Sequence, residues 1–162
     1  MITIKDLAKK ANVSVATVSY ALNDKPGISA QKKKEILKLA HDYGYVPNSV
    51  AKSLQSKSTN VIGVVIPELS NTYNSELLLN LENEARLNNY YLLLGSTHND
   101  LDIGKEVINK FIEKNIDAII IVVGQYTSEE YYKPIVNRFN QLDIPVVFIG
   151  AAFKELAANF IS

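Results

Sequence analysis

Apolar positions along the first 45 residues recur with a helical period. Ile4, Leu7, Ala8 and Ala11 follow i, i+3, i+4, i+7 spacing, and Thr3 stands where an N-cap is needed. Asn12-Val13 breaks that helix, and Ser14 can cap a second one running from Val15 to about Asn23. Asn23-Asp24-Lys25-Pro26-Gly27 reads as a loop. Ser29 can cap a third helix with Ile36, Leu39, Ala40 and Tyr43 on one side, ended by Gly44. From Val61 the period changes. Val61–Ile66, Tyr90–Leu94, Ala118–Val123 and Val146–Ile149 are short, nearly continuous apolar runs, as in parallel strands buried on both faces. Amphipathic stretches of helical length separate them, at Ser75–Asn88, Leu101–Lys114 and Ser128–Asn140. The expected fold class is α/β: three helices with a tight turn between the first two, then an open, doubly wound parallel sheet. The expected domains are 1–46, a hinge and linker at 47–60, and 61–162.

Composition narrows the chemistry. Hydrophobic residues make up 47% of the 162-residue chain and charged residues 21%, a globular balance. Cysteine is absent, which excludes disulfide frameworks, zinc-thiolate sites and thiol nucleophiles within this sequence. The formal net charge of zero conceals a division. Residues 1–60 carry ten lysines against four acids (Asp6, Asp24, Glu35, Asp42), a balance of +6, and the remainder carries seven basic residues against thirteen acids, −6. A basic head on an acidic body is the distribution expected when one part meets a polyanion. The plainer alternative is a solvated lysine-rich helix face. Neither the N-terminus nor any apolar run reads as a targeting or membrane segment, so the expected location is the cytoplasm.

On a helical wheel at 100° per residue, Val18, Ala21 and Leu22 of the second helix share the arc suited to packing against Ile4, Ala8, Ala11 and Val13. Ala16, Ser19, Tyr20 and Asn23 share the other arc, with Val15 at its edge. A short helix after a tight turn, with small and polar residues outward, fits the major groove of DNA, which is about 12 Å wide.

Thr3-Ile4-Lys5-Asp6-Leu7-Ala8, Ala11-Asn12-Val13-Ser14, Thr17-Val18-Ser19 and Leu22-Asn23 together resemble the helix-turn-helix signature of the lactose-repressor (LacI/GalR) family of bacterial transcription regulators. The likeness continues through Tyr43-Gly44-Tyr45-Val46-Pro47-Asn48, Val50-Ala51, Leu54 and Ile62-Gly63-Val64-Val65-Ile66-Pro67, and more loosely to Gly150. It implies a periplasmic-binding-protein-like N-subdomain after the hinge, a palindromic double-stranded operator as partner, a homodimer, no cofactor and no enzymatic activity. Carried over by position, it makes Val15, Ala16 and Tyr20 base readers, and Ser14, Thr17, Ser19 and Asn23 phosphate contacts. Ser14 can also be an N-cap alone, and Val15 rim packing alone.

The same resemblance makes Asn48–Ser56 a segment that turns helical on the operator and enters the minor groove. Leu54 would wedge into a base step there, with Lys52 and Lys57 meeting phosphates. The alternative for Leu54 is an interface cover, and a segment this short is expected to be poorly ordered without DNA. In the sheet, ligands sit beyond the carboxyl ends of the strands. Ser70, Asn71, Tyr73, Asn99 and Tyr126 lie there and are the expected contacts for a small sugar or sugar-phosphate effector, although Asn71 can be turn chemistry and Tyr126 a surface ring. Two departures stand out: Gly150 replaces the aspartate that many sugar-responsive relatives carry after the fourth strand, and the chain is about half the family's length. The chain is therefore expected to be truncated within the effector-binding domain, and the alternative to a working regulator is one with impaired dimerisation and sensing. An enzyme on the same sheet is disfavoured because GxGxxG, GxxxxGK[ST] and HExxH are missing. A free-standing sugar-binding protein would leave residues 1–54 without a task.

Overall fold

The computed structural model describes residues 2–47, 53, 56, 58–124 and 127–161. The chain divides into two compact units, Met1–Lys52 and Ser53–Ser162.

The first unit holds α1 (Ile4–Ala11), α2 (Val15–Leu22) and α3 (Ala30–Asp42). Each starts on a side-chain cap that satisfies otherwise orphaned backbone donors. Thr3 and Asp6 close a reciprocal capping box on α1, with the Asp6 carboxylate accepting the Thr3 backbone N–H at 2.9 Å. This bonding outweighs what little desolvation the side chain suffers and holds the Asp6 carboxyl below its ordinary value. Ser29 Oγ accepts the Lys32 N–H. Asn12, at φ 52°, stops α1 in the left-handed conformation, so the chain can enter α2 after two more residues. Gly44, at φ +58°, does the same for α3. The core is Leu7, Ala8, Ala11, Val18, Ala21, Ile36 and Ala40, with Ile4, Val13, Leu22, Ile28, Leu39 and Tyr45 packed around it. The apolar arcs read from the wheel close this core, with one exception. Tyr43 is 49% exposed and lies under the Lys10 ammonium, 4.1 Å from the ring centroid. A cation over its face lets the ring stay at the surface.

In the second unit β1 (Val61–Ile66), β2 (Tyr91–Ser96), β3 (Ala118–Val122), β4 (Val146–Ile149) and β5 (Asn159–Ile161) form one parallel sheet in the order β2-β1-β3-β4-β5. The helices are α4 (Thr72–Leu87), α5 (Leu101–Glu113) and α6 (Glu129–Gln141). One face of the sheet buries Val65, Ile119, Ile121 and Phe148 against Ile108 and Phe111 of α5 and Tyr132, Val136 and Phe139 of α6. The opposite face buries Val64, Ile66, Val122 and Ile149, with Leu77, Leu78 and Leu81 of α4 against it. Helices on both faces make the sheet doubly wound. Gly95 admits α5 closely, since a Cβ there would collide with Val107.

Three details differ from the sequence pattern. α4 starts at Thr72, not at the expected Ser75, because the Asn71 side chain caps it there. β5 is a fifth strand of three residues, too short to carry a periodic signal. β2, read as buried on both faces, is an edge strand: Tyr91 is 75% and Leu94 40% exposed. Apolar content registers burial within a strand but not the strand's place in the sheet. Among the described residues no helix is long and apolar enough to cross a membrane.

Candidate nucleic-acid interface and ligand edge

Ser14 Oγ accepts the Thr17 N–H at 3.1 Å and lies 2.9 Å from the Thr17 hydroxyl, so the two side chains form one polar corner at the start of α2. The exposed backbone donors and the positive end of the helix dipole converge there, an arrangement suited to a phosphate. The capping role of Ser14 is thus real, and it leaves the hydroxyl at the surface. Val18 and Ala21 turn inward, whereas Ala16 is exposed and Val15 and Tyr20 are 40% and 45% exposed. Ser19 and Thr17 are half-buried. Asn23 caps the far end, its side-chain amide donating to the Ser19 carbonyl at 2.8 Å. Part of its donor capacity is already used within the helix. The sequence pattern did not single out Lys25, whose ammonium stands 5.7 Å from the Tyr20 ring centroid and adds positive charge beside the outward arc.

Separating the two roles of Ser14 is direct. Ser14→Ala is expected to cost the first unit about 1 kcal/mol. Ser14→Asp restores the cap, yet places a carboxylate where a phosphate would lie. Thermal unfolding should therefore rank Asp near Ser and above Ala, while DNA affinity should fall furthest for Asp. Wild-type affinity in Ser14→Asp would remove the phosphate contact.

Leu54, Lys52, Lys57 and Tyr126 lie outside the described residues. The other expected effector positions surround the carboxyl edge of the sheet, where the strand order reverses direction at β1 and β3. Ser70 and Tyr73 are exposed. Asn71 caps α4 through its side-chain oxygen, which accepts the Tyr73 N–H at 2.9 Å, so its turn role is present. Asn99, left-handed at φ 58°, directs its amide toward the Glu68 carboxylate at 3.4 Å. Glu68 escaped the sequence reading, as did Asn74, which is buried in α4 and donates to the Glu68 carbonyl at 2.7 Å. A polar residue inside an otherwise apolar helix face was the available signal. The cavity beneath these loops, reaching Pro67, Thr97, Asn99 and Tyr131, measures about 30 Å³. That is room for a water or two, not for a sugar ring. At Gly150 the space around the missing side chain is open.

A capped helix-turn-helix domain with a basic excess, followed by a parallel α/β unit, defines a class of two-part proteins. Comparison with known proteins places its first part in a family. Residues 3–48 match the model described as bacterial regulatory proteins, lacI family. Catabolite control protein A of Staphylococcus aureus is 36% identical over 154 residues, covering 95% of this chain and 45% of that protein. The protein of the same name from Staphylococcus xylosus is 34% identical over the same length. Among solved structures, the lac repressor dimer bound to operator shares the fold with a TM-score of 0.81 at 20% identity, over 98% of this chain and 47% of that one. A lacI-family regulator from Silicibacter pomeroyi gives 0.77 at 25% identity, over 99% and 47%. Residues 3–48 thus carry a domain of the lacI family of bacterial regulatory proteins, and the likeness to the relatives runs on through the α/β unit. It spans about half the length of the curated relatives it matches.

Proposed function

We propose that this chain regulates transcription by binding a palindromic operator, as a repressor of carbohydrate-related genes. The carrying observation is the outward arc of α2, where Val15, Ala16 and Tyr20 remain exposed on a helix that Ser14 caps and Val18 anchors. Val15 and Ala16 offer methyl contacts to thymine, and Tyr20 offers one hydroxyl. Ser14, Thr17, Ser19 and Asn23 contact phosphates and set register. The hinge reads the minor groove through Leu54, with Lys52 and Lys57 on phosphates. The name catabolite control protein A, carried by relatives, supports the carbohydrate assignment. The operator-bound state in the name of the lac repressor structure supports the mode of action, and the regulators among the relatives favour a non-enzymatic protein.

Two copies meet an operator in this reading, as in the lac repressor dimer. Edge strand β2 and α4 expose Tyr91, Leu94, Leu79 and Leu87, apolar surface that a second copy would cover. A sugar or sugar-phosphate effector meets the carboxyl edge at Ser70, Asn71, Tyr73, Asn99 and Tyr126. Ser70, Asn71 and Tyr73 lie on an exposed edge that covers only part of a ligand's surface, so the edge alone holds a ligand weakly.

Fluorescence anisotropy on a palindromic operator and on random DNA tests the proposal. Tyr20→Ala is expected to weaken operator binding by about tenfold or more, since a good base contact is worth about 1–3 kcal/mol. Random-DNA binding, carried by lysines and steeply salt-dependent, should stay unchanged. Equal affinity of the wild type for both DNAs would overturn sequence-specific reading.

A further inference from the structure

At the amino-terminal end of the sheet one carboxylate gathers the segment that leads into β1. Asp117, the residue before β3, accepts the Thr59 backbone N–H on Oδ1 at 2.8 Å and the Thr59 hydroxyl at 2.9 Å. Its Oδ2 accepts the Asn60 N–H at 2.9 Å and the Ser58 hydroxyl at 2.5 Å. The Thr59 hydroxyl also lies 2.8 Å from the Asn115 carbonyl, so its single proton is shared. Asn60 is left-handed at φ 57° and donates from its side chain to the Asn89 carbonyl. Burial favours the neutral acid, but the hydrogen bonds from Ser58, Thr59 and Asn60 together outweigh it and hold the Asp117 carboxyl below the ordinary range.

β1 does not need this carboxylate to stay in place, because ladders to β2 and β3 hold it on both sides. What the four bonds immobilise is residues 58–60, the last stretch of the linker. Three residues with set backbone angles fix the direction in which the chain approaches β1 from the linker.

We infer that Asp117 is a positioning residue for operator recognition: by pinning Ser58, Thr59 and Asn60 to the base of the sheet, it aims the linker so that two heads reach paired half-sites together. This rests on the operator-binding reading above. Asp117→Asn keeps one acceptor oxygen and turns an amide toward the donors that Oδ2 served. Ser58→Ala/Thr59→Val removes the hydroxyls from the other side and leaves Asp117 intact.

Three measurements on the full chain test it: affinity for paired half-sites, affinity for a single half-site, and hydrogen exchange at the Thr59 and Asn60 amides. Asp117→Asn is expected to weaken paired-site binding about tenfold, the scale of one lost hydrogen bond to a charged group. Single-site affinity should be unchanged, exchange at residues 59 and 60 faster, and β1 protection intact. The Ser58/Thr59 variant should shift the same readouts in the same direction, and its effect should be smaller in the Asp117→Asn background than alone. Faster exchange at residues 59 and 60 with unaltered paired-site affinity overturns the inference, and so does equal weakening on single and paired sites. If the wild type shows no preference for paired sites, the operator reading fails and takes this inference with it, an outcome distinct from either of the others.

Discussion

Val18→Asp is expected to unfold the first unit and abolish operator binding while the α/β unit stays folded. Val18 is fully buried among Leu7, Ala11, Ala21 and Ile36. A carboxylate placed there has no partner, so it must remain charged in an apolar site or become neutral at the expense of a large pKa rise. Either cost is several kcal/mol, comparable to the whole stability of a domain of this size. The α/β unit has separate cores built from other residues, and its protection should persist. Hydrogen exchange resolved by residue would show protection lost across 4–42 and kept in β1 and β3. Simultaneous loss in both units would contradict their independence.

In the second unit the largest effect is expected at Phe148→Ala, a destabilisation of about 3–5 kcal/mol. Phe148 is fully buried in β4 and meets Tyr132 edge-on at 4.9 Å, Phe153 at 5.5 Å and Phe160 stacked at 5.5 Å between ring centroids. Removing it leaves a cavity and disrupts each of these ring pairs. Phe148→Leu retains most of the volume and should cost under about 1.5 kcal/mol. Urea unfolding followed through the α/β unit separates the two variants. Equal losses for Ala and Leu would mean that ring packing, not cavity volume, sets the cost.

The first unit was legible in the sequence almost residue by residue. Thr3, Ser14 and Ser29 cap the helices they were expected to cap, because capping is chemistry between residues two or three apart. Val18 and Ala21 face inward because a period of 3.6 leaves little choice once Leu7 and Ala11 share their core. The outward arc of α2 followed from the same wheel. Asn74 at the ligand edge was legible only as a polar position on an apolar helix face, and Glu68 not at all, because the bond that gives Asn74 its purpose runs to the Glu68 backbone carbonyl in a loop. Tyr43 misled, since its spacing is that of a core residue and only the neighbouring Lys10 makes exposure comfortable. Gly150 and the sparse cavity share a direction: the carboxyl edge has polar groups but little enclosure.

By itself the sequence determined where the helices of the first unit begin and end, which of their faces turn inward, and that a +6 segment precedes a −6 one, since these depend on near neighbours and on composition. Only the tertiary structure decided that β2 lies at an edge, that three residues at 159–161 join the sheet, and that Asp117 holds Ser58, 59 positions away. The reason is physical. Strand order and long-range hydrogen bonds are selected by the packing of the whole sheet, and no local period carries that information.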